Sequence, residues 1–237
     1  MRPMRSMGGG GFSLPGMEST AAKLAAGLVA GSVLYALTKE TVGLFLLLSP
    51  TEVFRKLWLW QPFTYAFVEN SAMGVIFGAL ILFSIGGGLE MSWGSRRVAM
   101  VAVGGAVLAG LLTSVVGLVL PLPVGYSGGY VMSSILWVSY GLYLGRGQTN
   151  FWGMPVTGNV FAGIGAGFVV LNSLFSSWLH HLPELFGLCI SFAYVRGGSP
   201  RALWLRLQHW RLQRQLRGRS RHLRVISEER PDDRYLN

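Results

Sequence analysis

Ser127 stands in the stretch GYSGG, residues 125–129, where a proline-containing turn gives way to an apolar run. His180 and His181 open another apolar run 53 and 54 residues further on. A serine hydroxyl attacks a carbonyl only when a base lies within hydrogen-bond reach and donors stand where the oxyanion forms. Gly125 and Gly128 carry no Cβ, so their backbone amides can approach such a site closely. The amide of Ser127 itself, near a helix N-terminus, is a natural oxyanion donor. This chemistry calls for no metal and no organic cofactor. The single cysteine, Cys189, lies in an apolar run, which rules out a disulfide framework and a cysteine-based metal site.

These groups must be positioned by elements suited to lipid. The chain is 51% apolar with only 13% charged residues, and its mean hydropathy is +0.45, against roughly 25% charge in a typical soluble domain. An integral membrane protein follows. Apolar runs long enough for a bilayer core of about 30 Å fall at about 21–38, 72–89, 98–120, 127–145, 157–177 and 180–196. The expected fold is an all-α membrane protein of six transmembrane helices. Residues 41–67 are apolar but broken by Pro50 and Pro62, and read as an interfacial or re-entrant loop instead of a seventh span. The basic, glycine-rich start has no convincing cleavage site, so no signal peptide is expected to be removed.

Cations set the expected orientation, because Lys and Arg of short loops stay cytoplasmic. Arg2 and Arg5, Arg96 and Arg97, Arg146 and the arginine-rich tail share one face of a six-span topology, against Lys39, Arg55 and Lys56 on the other. Both termini are then cytoplasmic. The same topology puts Ser127 and the two histidines at one depth, near the outer surface, as a nucleophile and its base require.

Four segments, in order, resemble the rhomboid intramembrane serine proteases. They are LWQPFTYAFVEN at 59–70, GGGLEMSWGSRR at 86–97, GYSGG at 125–129 and HHLPELFG at 180–187. Together they cover about residues 21–197. The resemblance implies a six-helix rhomboid-like bundle, with Ser127 as nucleophile and a histidine as base, cleaving membrane-spanning substrates from a hydrated cavity open to the outer side. His180 fits the pattern better than His181, the fallback, because Gly187 then follows two turns later, where the family keeps a small residue for packing. Glu90, with Gly94 and Ser95, matches the family's acid and the turn after it. Glu90 is expected to be structural, pairing with Arg96 and Arg97. Glu184 lies one helical turn past His180 and could orient its imidazole.

The departures from that family are specific. It usually carries a histidine and, four residues later, an asparagine on the second span, where this chain has Gly74 and Gly78. Glu69 or Asn70 could substitute, but solvated side chains are the expectation for both. Pro183 and Glu184 also replace a small residue. A catalytically impaired rhomboid-like pseudoprotease that binds membrane proteins is therefore the rival reading. A transporter or channel is disfavoured, since the spans hold almost no ionisable residues.

Three regions are expected: a basic N-terminal segment (1–20), the membrane domain (21–197) and an arginine-rich tail (198–237). From Arg196 onward eleven arginines face four acids. Residues 200–224 read as a basic amphipathic helix on the anionic inner leaflet, followed by a charged, disordered end. The expected partners are transmembrane protein substrates and membrane lipids, not nucleic acid.

Overall fold

The computed structural model describes residues 16–197, except Glu40 and Trp152, together with Gln208. The expected tail helix and most of the N-terminal segment lie outside the described residues. Contacts divide the chain into a unit of residues 1–196 and a second of 197–237.

Six principal helices stand within a few residues of the apolar runs. α1 covers Thr20–Thr38 and starts where the Ser19 side chain accepts a hydrogen bond from the Ala22 amide at 3.0 Å. Two short helices follow in the first loop, α2 (Pro50–Arg55) and α3 (Gln61–Thr64), each with a proline in its first turn, where proline removes no needed donor. α4 covers Ala72–Trp93, capped by Ser71. α5 (Ser95–Ala99) runs through a π-helical turn at Met100–Gly104 into α6 (Gly105–Val116), so that 95–116 acts as one rod. Gly94, between α4 and α5, has φ +81°, a conformation natural only to glycine. α7 is Gly129–Leu144, α8 is Gly158–Phe175 and α9 is Leu182–Arg196.

Four of these, α1, α4, the α5–α6 rod and α8, are long and apolar enough to cross a bilayer. α7 and α9 have 16 and 15 residues, about 24 Å and 22 Å at 1.5 Å per residue, short of a bilayer core. The cause is legible for α7. The bridge between Leu48 and Tyr126 and the φ of +83° at Gly125 hold the preceding chain out of helix, so the helix begins two residues later than its apolar run.

An antiparallel hairpin, β1 (Gln148–Phe151) and β2 (Met154–Thr157), joins α7 to α8. Its tight turn uses Gly153 at φ +86°. The run QTNF–WG–MPVT carries strand-forming Thr, Phe and Val about a glycine turn, a signal that hydropathy alone passes over.

α7 is the central element. It packs against α4, α8 and α9, while α1 lies on α4 and α6 on α9. Val131, Met132, Ile135 and Leu136 are fully buried. Gly187 lets α9 lie against α7, since a Cβ there would stand 3.1 Å from Ile135. The outer helices instead expose large apolar side chains, among them Leu37, Ile76, Leu80, Leu174 and Phe175.

The first loop is anchored by polar groups. Buried Gln61 accepts the Ser49 amide at 3.0 Å, Thr64 donates to the Leu46 carbonyl at 3.0 Å, and the fully buried Tyr65 donates its hydroxyl to the Ala106 carbonyl. Phe45, Leu59, Trp60 and Phe63 remain exposed, as an interfacial loop requires.

Glu90 does not pair with Arg96 or Arg97. Its carboxylate accepts the Thr20 and Ala21 amides at 3.0 and 3.1 Å and the Ser95 hydroxyl at 2.5 Å. It thus caps α1, whose first amides have no partner within the helix. Its target is a helix start some 70 positions away, not the expected neighbouring arginines.

Candidate functional site

The starts of α4, α7 and α9 and the end of α8 meet at a cleft of ≈ 480 Å³. Ser127, His180, His181 and Glu184 all line it, as do Glu69 and Asn70. The serine and both histidines therefore share one cleft.

Local backbone explains the position of Ser127. The segment before α7 pairs with the first loop through reciprocal hydrogen bonds of 2.9 Å between Leu48 and Tyr126. Gly125 turns the chain with φ +83°, and Gly128 packs so closely that a Cβ would lie 2.6 Å from the Tyr65 ring. The amide of Gly125 is committed to the Leu48 carbonyl, and that of Gly128 to the carbonyls of Tyr65 and Val68. Neither glycine can offer its N–H to an oxyanion in this arrangement, which corrects the expectation for both. Their contribution is steric. The Ser127 amide has no hydrogen-bond partner among the described residues.

The histidines sit on a 3₁₀ turn, Trp178–His181, directly before α9. Tyr126, next to the serine, donates its hydroxyl to the Leu179 carbonyl at 2.5 Å, so the serine loop and the histidine turn are tied together one residue from each. Burial pushes the Tyr126 phenol up, with the Glu184 charge adding to it, which keeps it a donor. His181 Nδ1 lies 2.5 Å from Glu184 Oε2, while His180 is exposed and has no side-chain partner among the described residues. Glu184 thus orients His181, not His180. The reason is geometric: a 3₁₀ turn entering a helix brings positions i and i+3 together. Accepting from Nδ1–H leaves the Nε2 lone pair of a neutral imidazole free.

Ser127 Oγ donates to Glu69 Oε1 at 3.4 Å, and neither histidine is hydrogen-bonded to it. Glu69 is not solvated. It is 7% exposed, accepts the Tyr130 amide at 3.0 Å and the Asn70 amide at 3.1 Å, and its own amide donates to Ser32 of α1. Burial pushes its carboxyl above the ordinary carboxylate range, opposed by the amide hydrogen bonds and reinforced by the charge of Glu184. Gly74 makes room for it, since a Cβ there would stand 2.7 Å from Glu69 Cγ. The matching space at Gly78 is taken by Leu28 of α1, at 2.9 Å. The two second-span glycines are thus filled from elsewhere, one by a carboxyl and one by a leucine. Sequence reasoning undervalued Glu69 because its burial depends on α1 and α7, both distant in sequence.

Residues 22–136, a little under half of the chain, match the family model described as eukaryotic integral membrane protein (DUF1751). That stretch holds Glu69 and Ser127 and stops short of the histidines. Together with four helices able to cross a bilayer and an apolar outer surface, it decides the solvent. The chain is a membrane-embedded protein. Comparison with curated proteins gave no match. Among the described residues no group of three or more His, Cys, Asp or Glu could hold a metal ion.

Proposed function

We propose that the protein is a rhomboid-like intramembrane serine peptidase, with Ser127 as nucleophile and His181, oriented by Glu184, as base. All six principal helices lie in the bilayer, the short α7 and α9 being continued at the cleft by the segment before α7 and by the 3₁₀ turn before α9. Both termini are cytoplasmic, on the side of Arg96, Arg97 and Arg146, and the cleft opens outward. The substrate is a membrane-spanning segment whose scissile peptide enters the cleft.

The observation that carries this reading is the Tyr126–Leu179 hydrogen bond, which ties the serine loop to the turn of a carboxylate-oriented imidazole, both lining one cleft. Catalytic hydrogen bonds are often long or open in the unliganded state and close in the substrate complex. His181 replaces His180 as the favoured base because the glutamate is bound to it.

Co-expression with a panel of single-span substrates tests the reading. Cleavage is expected for the native chain, lost in Ser127→Ala and His181→Ala, and kept in His180→Ala. Product that persists in Ser127→Ala overturns it. A second reading, a rhomboid-like pseudoprotease that binds membrane segments without cutting them, is favoured by the bond from the Ser127 hydroxyl to Glu69 instead of to an imidazole. Capture of substrates with no product from the native chain, and no fluorophosphonate labelling of Ser127, selects it.

A further inference from the structure

Glu69 is the one carboxyl hydrogen-bonded to Ser127 among the described residues, and nothing in the serine–histidine scheme uses it. Its side chain is threaded through a gap that exists only because Gly74 and Gly129 lack a Cβ: added atoms would lie 2.7 Å from its Cγ and 3.1 Å from its Cβ. Oε2 is fixed by the Tyr130 amide in the first turn of α7, and Oε1 faces the serine. The 3.4 Å between Oε1 and Ser127 Oγ exceeds a good O–H···O contact. That spacing leaves the carboxyl within reach of an oxygen one atom removed from Oγ, which is where an oxyanion forms.

We propose that Glu69 is a third catalytic group of the cleft, donating in its protonated form a hydrogen bond to the carbonyl oxygen of a bound peptide as Ser127 adds to it. The proposal rests on the serine-peptidase reading. As Oγ bonds to the carbonyl carbon, its proton passes to His181 Nε2 and the C=O π pair moves onto oxygen. That oxygen is met by the Ser127 N–H and the Glu69 O–H. Collapse restores the C=O, breaks the C–N bond and hands the His181 proton to the leaving amine. Water then repeats the sequence on the acyl-serine and regenerates the hydroxyl. Glu69 keeps its proton throughout.

An ionised Glu69 has the opposite effect, because a carboxylate beside a developing oxyanion repels it. The charged or titratable groups facing Glu69 are Glu184 from α9, Tyr130 from α7 and the two histidines of the 3₁₀ turn; α1 and α8 present the uncharged Ser32 and Asn172. Burial and the Glu184 charge favour the neutral carboxyl, so cleavage fades on the alkaline side as Glu69 ionises, while protonation of the His181 base stops it on the acid side.

The test uses the full chain in liposomes with a single-span substrate, following kcat against pH and, separately, the melting temperature. Glu69→Ala is expected to lose roughly a hundredfold to a thousandfold in kcat, as when an oxyanion donor is removed. Glu69→Gln, whose amide N–H donates at every pH, is expected to keep most activity and to lack the alkaline fall of the native chain. Melting supplies an independent sign. A carboxyl whose folded value is raised contributes stability that is fully present below the ordinary carboxylate range and lost as pH rises through the raised value. Glu69→Gln therefore gains in relative melting temperature as pH increases. Native-like cleavage by Glu69→Ala overturns the proposal, as does an unchanged alkaline fall in Glu69→Gln. A Glu69→Gln chain that melts normally but is as inactive as Glu69→Ala also overturns it, since an ionised carboxylate would then be required. If Glu69→Ala fails to fold, the pH profile of Glu69→Gln decides. These failures leave the native chain active, whereas failure of the peptidase reading removes Ser127-dependent product from the native chain itself and ends both.

Discussion

At the scale of single residues, the cleft is built from polar groups whose partners lie far away in sequence. Ser127 reads as a candidate nucleophile only beside the two histidines that open another apolar run, because a small residue in a membrane helix more often serves close packing. The pairing of Glu184 with His181 does not read plainly, since a turn of 3₁₀ helix shifts the partner by one position. Glu90 teaches the same lesson, as its contacts with Thr20 and Ala21 follow from tertiary packing. Replacing Glu90 by Ala is expected to cost about 1 to 2 kcal/mol, in the range of a lost helix cap, measured by unfolding in mixed micelles. Tyr65→Phe removes the hydroxyl bond to the Ala106 carbonyl, which keeps its helical partner in α6, and is expected to cost about 0.5 to 1.5 kcal/mol, the net worth of one hydrogen bond, by the same measurement.

At the scale of elements, apolar length and the prolines place the six helices to within a few residues, yet they miss three features. The π-helical turn at Met100–Gly104 leaves no mark in hydropathy, because widening a helix by one residue keeps the run apolar. The hairpin before α8 and the late start of α7 are set by turn chemistry, which hydropathy averages away. Contacts between elements give sharper expectations. Gly187→Leu forces α9 off Ile135 and Val131 of α7, at about 1 to 3 kcal/mol for an overpacked contact. It also moves the histidine turn, so cleavage is expected to fall further than melting alone explains. Tyr126→Phe releases the serine loop from Leu179. Its expected signature is a drop in kcat with a near-native melting temperature, read by following both on the same preparation.

At the scale of the whole molecule, composition and charge suffice to identify lipid as the solvent, since no other solvent tolerates the exposed apolar side chains of α1, α4 and α8. Sidedness is a matter of where the cations fall. In a chain with Cys189 replaced, single cysteines introduced at Asn70 or Val124 are expected to react with a membrane-impermeant thiol reagent added outside. Cysteines in the β1–β2 hairpin are expected to react only after the membrane is opened. Reaction of the hairpin from outside would invert the topology and place the cleft toward the cytoplasm.

Because α7 is wrapped by α4, α8 and α9, the loop just before it, with Ser127, feels the bilayer only at second hand. A thicker or thinner lipid host strains the outer rods first, and they can tilt to absorb the mismatch while the inner rod keeps its pose. A change of lipid thickness is then expected to act on the outer helices before it reaches the cleft.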